Sequence, residues 1–342
     1  ALMFGVPLAR AVVSGINEAV DGLASATAQG TQFVFGYLGG GAQPYSVANE
    51  SSLFVFAFQV LPLILVISAL SALLWHWKIL RWITRGFGFL FQKTMGLGGA
   101  SALATAANIF LGMVETPIII KGYLDKLSRS EMFMMMVVGL ATVAGSTMVA
   151  YAMILKATLP NAAAHVLVAS IVSAPAGVLL ARIMIPEKPG EGGAYADYSS
   201  DLLYDSSIDA ISKGVADGLQ VVLNISAILI VFVALVAIAN NVLSILPLWD
   251  GQPVTLERML GVVFAPLAWA MGIEWADASK GGYLLGVKLM LTEFIAFIQL
   301  GAVPEGEMSE RTRMIMTYAL CGFANVGSVG ITVSGMGILM PE

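Results

Sequence analysis

Apolar runs long enough to cross a bilayer recur along these 342 residues, and they restrict the fold more than any other feature. A hydrocarbon core about 30 Å thick needs about 20 consecutive, mostly apolar residues in a helix. The stretches 53–77, 161–185 and 215–245 are expected to meet that requirement. In hydrocarbon every backbone polar group must be satisfied within the spanning segment, so helices are the solution available to such runs. With 58% hydrophobic and only 11% charged residues and a mean hydropathy of +0.85, the chain reads as an all-α polytopic membrane protein. The formal net charge of −5 includes no basic patch suited to nucleic acid. Cys321 is the single cysteine, and His76 and His165 are the only histidines, so neither a disulfide framework nor a zinc site is expected.

Against that apolar background two carboxylates stand out. Glu115 interrupts ANIFLGMVETPIII and Glu293 interrupts LLGVKLMLTEFIAFIQL. An ionised side chain at membrane depth costs about 3 kcal/mol on insertion scales, so each acid marks a candidate functional site. Thr116 and Pro117 follow Glu115, and Pro both removes a donor and biases its predecessor away from helix. The expectation is a re-entrant hairpin over 101–124 with Glu115 at its tip, and a second over 281–300 carrying Glu293. Each acid precedes a helix with a weak centre, ATVAGS (141–146) and FANVGS (323–328). FQVLPLILVISALSALL upstream of the first matches LQVVLNISAILIVFVALVAI upstream of the second. Two halves with corresponding interrupted segments point to inverted repeats and to a transporter whose site lies between them.

The chain divides accordingly. Residues 1–50 hold an amphipathic helix, with Leu8, Val12, Ile16, Val20 and Leu23 opposite Asn17, Glu18 and Asp21, and a Gly-rich connection. That helix is expected in the membrane interface, with packing on the protein as the alternative. Residues 51–186 form the first repeat: a span, the Glu115 hairpin, a broken helix over 131–156 and a further span. Residues 187–214 are a polar linker, in which Asp201, Asp205 and Asp209 suit solvated or capping roles. Residues 215–342 form the second repeat, ending with the broken helix over 311–337. The counterpart of the span 161–185 is expected to be missing, as are N-terminal helices, since the chain opens without Met. Met132, Met134, Met135 and Met136 read as packing or lipid-facing surface. No helical H-E-x-x-H and no Ser–His pair at matched depth suggests an enzyme, and no cofactor is expected.

Several segments are quotable as signatures: FAFQVLPLILVISALSALL, QKTMG, ANIFLGMVETP, FAPLAWAMG, KLMLTEF and YALCGFANVGSVGI. They resemble the concentrative nucleoside transporters, over nearly the whole chain from Phe33 onward. The resemblance implies a homotrimer in the lipid bilayer, here a bacterial cytoplasmic membrane, that moves a nucleoside in an elevator-like displacement driven by Na⁺ or H⁺. Position by position it implies that Glu293, Asn325 and Ser328 address the ribose and that Phe323 packs beside the ligand. It gives Glu115 a place in the polar network of the first repeat. The family's G-Q-T-E-A-P segment reads Gly-Met-Val-Glu-Thr-Pro here, so Met113 and Val114 replace a base-reading Gln and a Thr. In sodium-coupled members that Thr joins an Asn and a Ser or Thr, matched by Asn108 and Thr142, in a cation site. Val114 leaves that site degenerate, so H⁺ is the expected coupling ion, with Glu115 or Glu293 as the titrating group and Na⁺ as the alternative. Thr292, Val326 and Gly327 also differ from the family pattern. A transporter of another small polar solute, or a membrane protein that binds nucleosides without moving them, are the competing readings.

Overall fold

A computed structural model describes residues 7–46, 55–111, 113, 116, 120, 124, 127–156, 158–188, 204–248, 251, 253–304 and 306–339. Regular structure among these residues is entirely helical. Helix α1 spans Pro7–Phe35 and is followed by one 3₁₀ turn over Gly36–Gly39. Of its predicted stripe, Ile16, Val20 and Leu23 are half-buried, and Thr27 and Thr31, beyond the stripe, are buried. The helix is thus packed on the body of the protein, the alternative the pattern left open, and Asp21 reaches Lys156 at 2.7 Å.

The first span is a short helix α2, Phe56–Gln59, continued by α3, Pro62–His76, with Pro62 in the first turn, where its missing N–H has no intrahelical partner to lose. It turns at Lys78, in the left-handed region at φ 66, into α4, Ile79–Met95. That helix buries Leu80, Thr84, Gly88 and Phe91 and exposes Ile79, Trp82, Ile83, Phe89 and Leu90. Gly96, at φ +63, ends it and leads to α5, Gly99–Ala107. All nine residues of α5 are buried, because the sequence GASALATAA offers only small residues and one Leu and so lets neighbours approach on every side. The predicted tip of the first hairpin follows. Gly112, Val114, Glu115 and Pro117 lie outside the described residues, whereas Asn108, Met113 and Thr116 lie within them.

The first broken helix is present as α6, Arg129–Ala141, and α7, Gly145–Leu155, separated by extended residues at Thr142 and Ala144. A complete capping box starts α6, with Ser128 accepting from Glu131 N–H and Glu131 accepting from Ser128 N–H. Glu131 also accepts from Ser101 at 2.8 Å, which binds α5 to α6. Met134 and Met135 of the methionine run are buried packing residues. The following span is α8, Ala162–Met184.

Helix α9 runs Ser207–Leu243, so the polar linker ends about eight residues earlier than expected at 214. Its start is fixed by Ser206, which accepts from Asp209 N–H at 3.1 Å. The Lys213 ammonium, hydrogen-bonded to Asp209 at 2.9 Å, holds that carboxyl below the usual carboxylate range and closes the first turn. At 1.5 Å per residue α9 is about 55 Å long, longer than a bilayer core of about 30 Å. Gly214 and Gly218, four residues apart, let it press on α3: a Cβ at Gly214 would meet the Ser68 carbonyl at 2.7 Å.

Helices α10, Leu256–Ala270, and α11, Trp275–Met290, form a pair bent by 115° between Arg258–Ala270 and Trp275–Met290. The short apolar piece 264–272 forms the end of α10 and the turn after it, and the segment expected as a hairpin from Gly281 lies in a helix that starts earlier, at Trp275. Helix α12, Glu293–Ala302, follows a break at Leu291 and Thr292. The second broken helix comprises α13, Glu310–Leu320, and α14, Val326–Leu339. By length and composition, Phe56–His76 and Ala162–Met184 each suffice to cross a membrane, and the bent pair supplies a third such element if counted together.

Buried charges close the ends of these half-helices. Arg313 of α13 is 4% exposed and donates to the Leu300, Val303 and Pro304 carbonyls at the end of α12, at 2.9, 3.1 and 3.4 Å. Lys288 of α11 donates to Ala319 O near the end of α13 at 2.8 Å. Cations at helix C-termini answer the partial negative charge there. Replacing Arg313 by Met keeps most of the packing stem but strands three carbonyls. The expected loss is roughly 1–3 kcal/mol, read as a lowered thermal unfolding midpoint of the purified protein.

Candidate functional site

The two broken helices meet at their breaks. Gly322 has φ +124, and a Cβ there would lie 2.7 Å from the Ala141 carbonyl, so only glycine allows both the turn and the contact. Close to this crossing, α12 opens on Glu293. Thr292 is extended and caps α12 by accepting from Ile295 N–H at 3.3 Å, which places the carboxylate at the positive end of the helix.

Glu293 is 5% exposed, and both its oxygens are engaged by the protein. Oε1 accepts from the Tyr151 hydroxyl at 3.0 Å, and Oε2 from Asn325 Nδ2 at 2.8 Å. Asn325 works in two directions, because its Oδ1 accepts from Ser328 N–H at 2.8 Å and so caps the start of α14. Ser328 and Thr332 are both buried on α14, one turn apart, with Thr332 donating to Ser328 O at 2.9 Å. The Thr332 hydroxyl also lies 3.1 Å from Met113 Sδ, which joins α14 to the segment after α5. Glu293, Asn325 and Ser328 are therefore joined by hydrogen bonds in one cluster, and Phe323 lies half-buried in the break two residues before Asn325. A carboxylate has about four lone-pair sites. Tyr151 and Asn325 take two of them and the backbone N–H of Glu293 adds a further contact, so acceptor capacity remains for a hydroxylated ligand. Lys288 donates to the Ala319 carbonyl of α13 and also places its positive charge where it interacts with the Glu293 carboxylate.

On the first-repeat side, Asn108 ends α5 and is 1% exposed, yet neither of its amide atoms has a hydrogen-bond partner among the described residues. It faces a small cavity shared with Met113, Met135, Met136, Gly139, Thr332 and Met336. Thr142, buried one turn beyond Gly139, donates back to Val138 O at 2.9 Å. Val114 and Glu115, the remaining candidates, lie outside the described residues.

Against family models, residues 165–342 match the Na⁺ dependent nucleoside transporter C-terminus and residues 57–158 match a gate domain described as nucleoside recognition. The nucleoside permease NupC of Helicobacter pylori is 35% identical over 347 residues, covering all of this chain and 81% of its own length. The chain belongs to the concentrative nucleoside transporter family. Another relative of this transporter, YutK of Bacillus subtilis, described as an uncharacterized transporter, is 38% identical over 336 residues, 97% of this chain and 80% of that one. A solved structure of CNTnw in an inward-facing, substrate-bound state superposes with a TM-score of 0.86 at 32% identity, covering 98% of this chain and 79% of that one. These likenesses make the transporter an all-helical polytopic membrane protein of the nucleoside-transporting class.

Sequence reasoning about this transporter did not find Tyr151, Thr332 or Ser170. Ser170 of α8 accepts from Val143 N–H at 3.3 Å within the first break, so it holds the unwound backbone. Its only signal was a hydroxyl in an apolar run, which membrane helices commonly carry for packing.

Proposed function

We propose that the chain imports nucleosides by cation symport across a bacterial cytoplasmic membrane, with H⁺ as the coupling ion. The observation that carries this reading is the buried Glu293 carboxylate, oriented by Asn325 and Tyr151 at the start of a half-helix and retaining acceptor capacity. Ribose hydroxyls are donors that need acceptors in a dry site, and Glu293, with Ser328 and Asn325 beside it, supplies them. Phe323 packs against the ligand, and Glu115 completes the network from the first repeat.

The reading of H⁺ over Na⁺ rests on the surroundings of Asn108. Na⁺ is a hard cation suited to oxygen ligands, whereas four of the seven described residues around the cavity are methionines. Val114 has no side-chain oxygen to add. A carboxyl group, Glu293 or Glu115, then carries the coupled proton. The inverted-repeat organisation, the re-entrant hairpins, the homotrimer and the elevator displacement belong to the same proposal and rest on the family resemblance.

The test is uptake of radiolabelled uridine into proteoliposomes. An inward H⁺ gradient without sodium is expected to drive accumulation, and an inward Na⁺ gradient at equal pH is expected to drive none. Uptake that requires Na⁺ and ignores pH would sink H⁺ coupling. Binding without accumulation under either gradient would mark a nucleoside-binding protein that does not transport.

A further inference from the structure

Tyr151 is the largest fully buried side chain among the described residues, and its hydroxyl donates to Glu293. We propose that this hydroxyl sets the orientation in which Glu293 meets the ribose, making Tyr151 a positioning residue for nucleoside affinity. The inference rests on the reading that Glu293 binds ribose.

The tyrosine ring has little freedom. It stacks on Phe297 with centroids 4.4 Å apart and planes at 14°, and meets Phe294 edge-on at 5.4 Å. Phe294 and Phe297 belong to α12, the helix that Glu293 opens, so the element bearing the carboxylate also aims the hydroxyl that holds it. The terminal torsion of a Glu side chain is broad and nearly two-fold, and it is fixed only by what its oxygens bind. Asn325, the cap of α14, binds one oxygen, and Tyr151 binds the other from α7. Removing either donor frees the carboxylate to rotate out of line with the ligand. Tyr151 comes from the first half of the chain and Glu293 from the second, so the acid is held between both halves.

Tyr151→Phe keeps the stacked ring and deletes only the donor. In proteoliposomes its KM for uridine is expected to rise about tenfold, the effect of losing one hydrogen bond to a charged group, with Vmax changed much less. For 2′,3′-dideoxyuridine, which lacks the ribose hydroxyls, KM is expected to stay unchanged. In a Glu293→Gln background the same substitution is expected to add much less than it does in the wild type, since it acts chiefly through the carboxylate. Phe297→Leu, which keeps the hydroxyl but loosens the ring, is expected to give a smaller rise confined to uridine. An unchanged uridine KM in Tyr151→Phe, an equal rise for both nucleosides, or additive effects of Tyr151→Phe and Glu293→Gln would each overturn the inference. If Glu293→Gln alone leaves the uridine KM unchanged, the ribose reading of Glu293 fails and the role of Tyr151 falls with it.

Discussion

Replacing Glu293 by Gln is expected to lower the uptake efficiency for uridine, measured as Vmax/KM, by roughly 10- to 100-fold while leaving the protein folded. The substitution is nearly isosteric, so the packing of α12 on Tyr151 and Phe56 is undisturbed. What changes is the chemistry at the two oxygens. The amide retains one carbonyl, which can accept from Tyr151 or from Asn325 but cannot take both present partners with two separate oxygens. Its NH₂ then faces a second donor, and the ligand loses a charged acceptor. Hydrogen bonds to charged groups are worth about 1.5–3 kcal/mol, and each 1.4 kcal/mol is about tenfold. Initial rates of uptake, with circular dichroism to confirm folding, give the answer. Wild-type efficiency in Glu293→Gln would remove the carboxylate from the site.

Asn325 offers the second large effect, because one substitution separates its two roles. Asp caps a helix as well as Asn does, so Asn325→Asp preserves the bond from Ser328 N–H and the start of α14. It also replaces the donor that Glu293 accepts from with a second carboxylate. Like charges about 4 Å apart repel by about 4 kcal/mol at an effective dielectric of about 20. Nucleoside uptake at neutral pH is therefore expected to fall more than about 100-fold. Asn325→Ser, which keeps a capping oxygen and adds no charge, is expected to lose about tenfold, the effect of one missing donor. Equal losses in the two variants would show that only the cap matters.

Much of this site was legible in the sequence, for a physical reason. A lone acid in an apolar run, or a patch of small and polar residues midway through a span, violates the local pattern in a way that survives into the structure. The breaks at 142–144 and 321–325 fall where ATVAGS and FANVGS weaken their helices, and Glu293 begins a helix where LMLTEF places a capping Thr before an acid. Partners were harder to read. Tyr151 and Glu293 are 142 residues apart, and no periodicity reports a contact at that distance. The methionines around Asn108 come from three segments, so only the fold assembles them. The start of α9 was placed too late because polar residues at its first turns were read as linker. Ser206, Asp209 and Lys213 instead stabilise the helix end through a cap and an i, i+4 ion pair.

The measurement that bears most directly on the account compares accumulation of uridine and of 2′,3′-dideoxyuridine in proteoliposomes under an inward H⁺ gradient. A cluster built to engage ribose hydroxyls predicts that uridine is concentrated, and that the dideoxy analogue is taken up at least about tenfold less efficiently because buried polar groups are left unmatched. Equal uptake of the two, or no uptake of uridine by folded protein, would contradict the assignment of Glu293, Asn325 and Ser328 to the ribose.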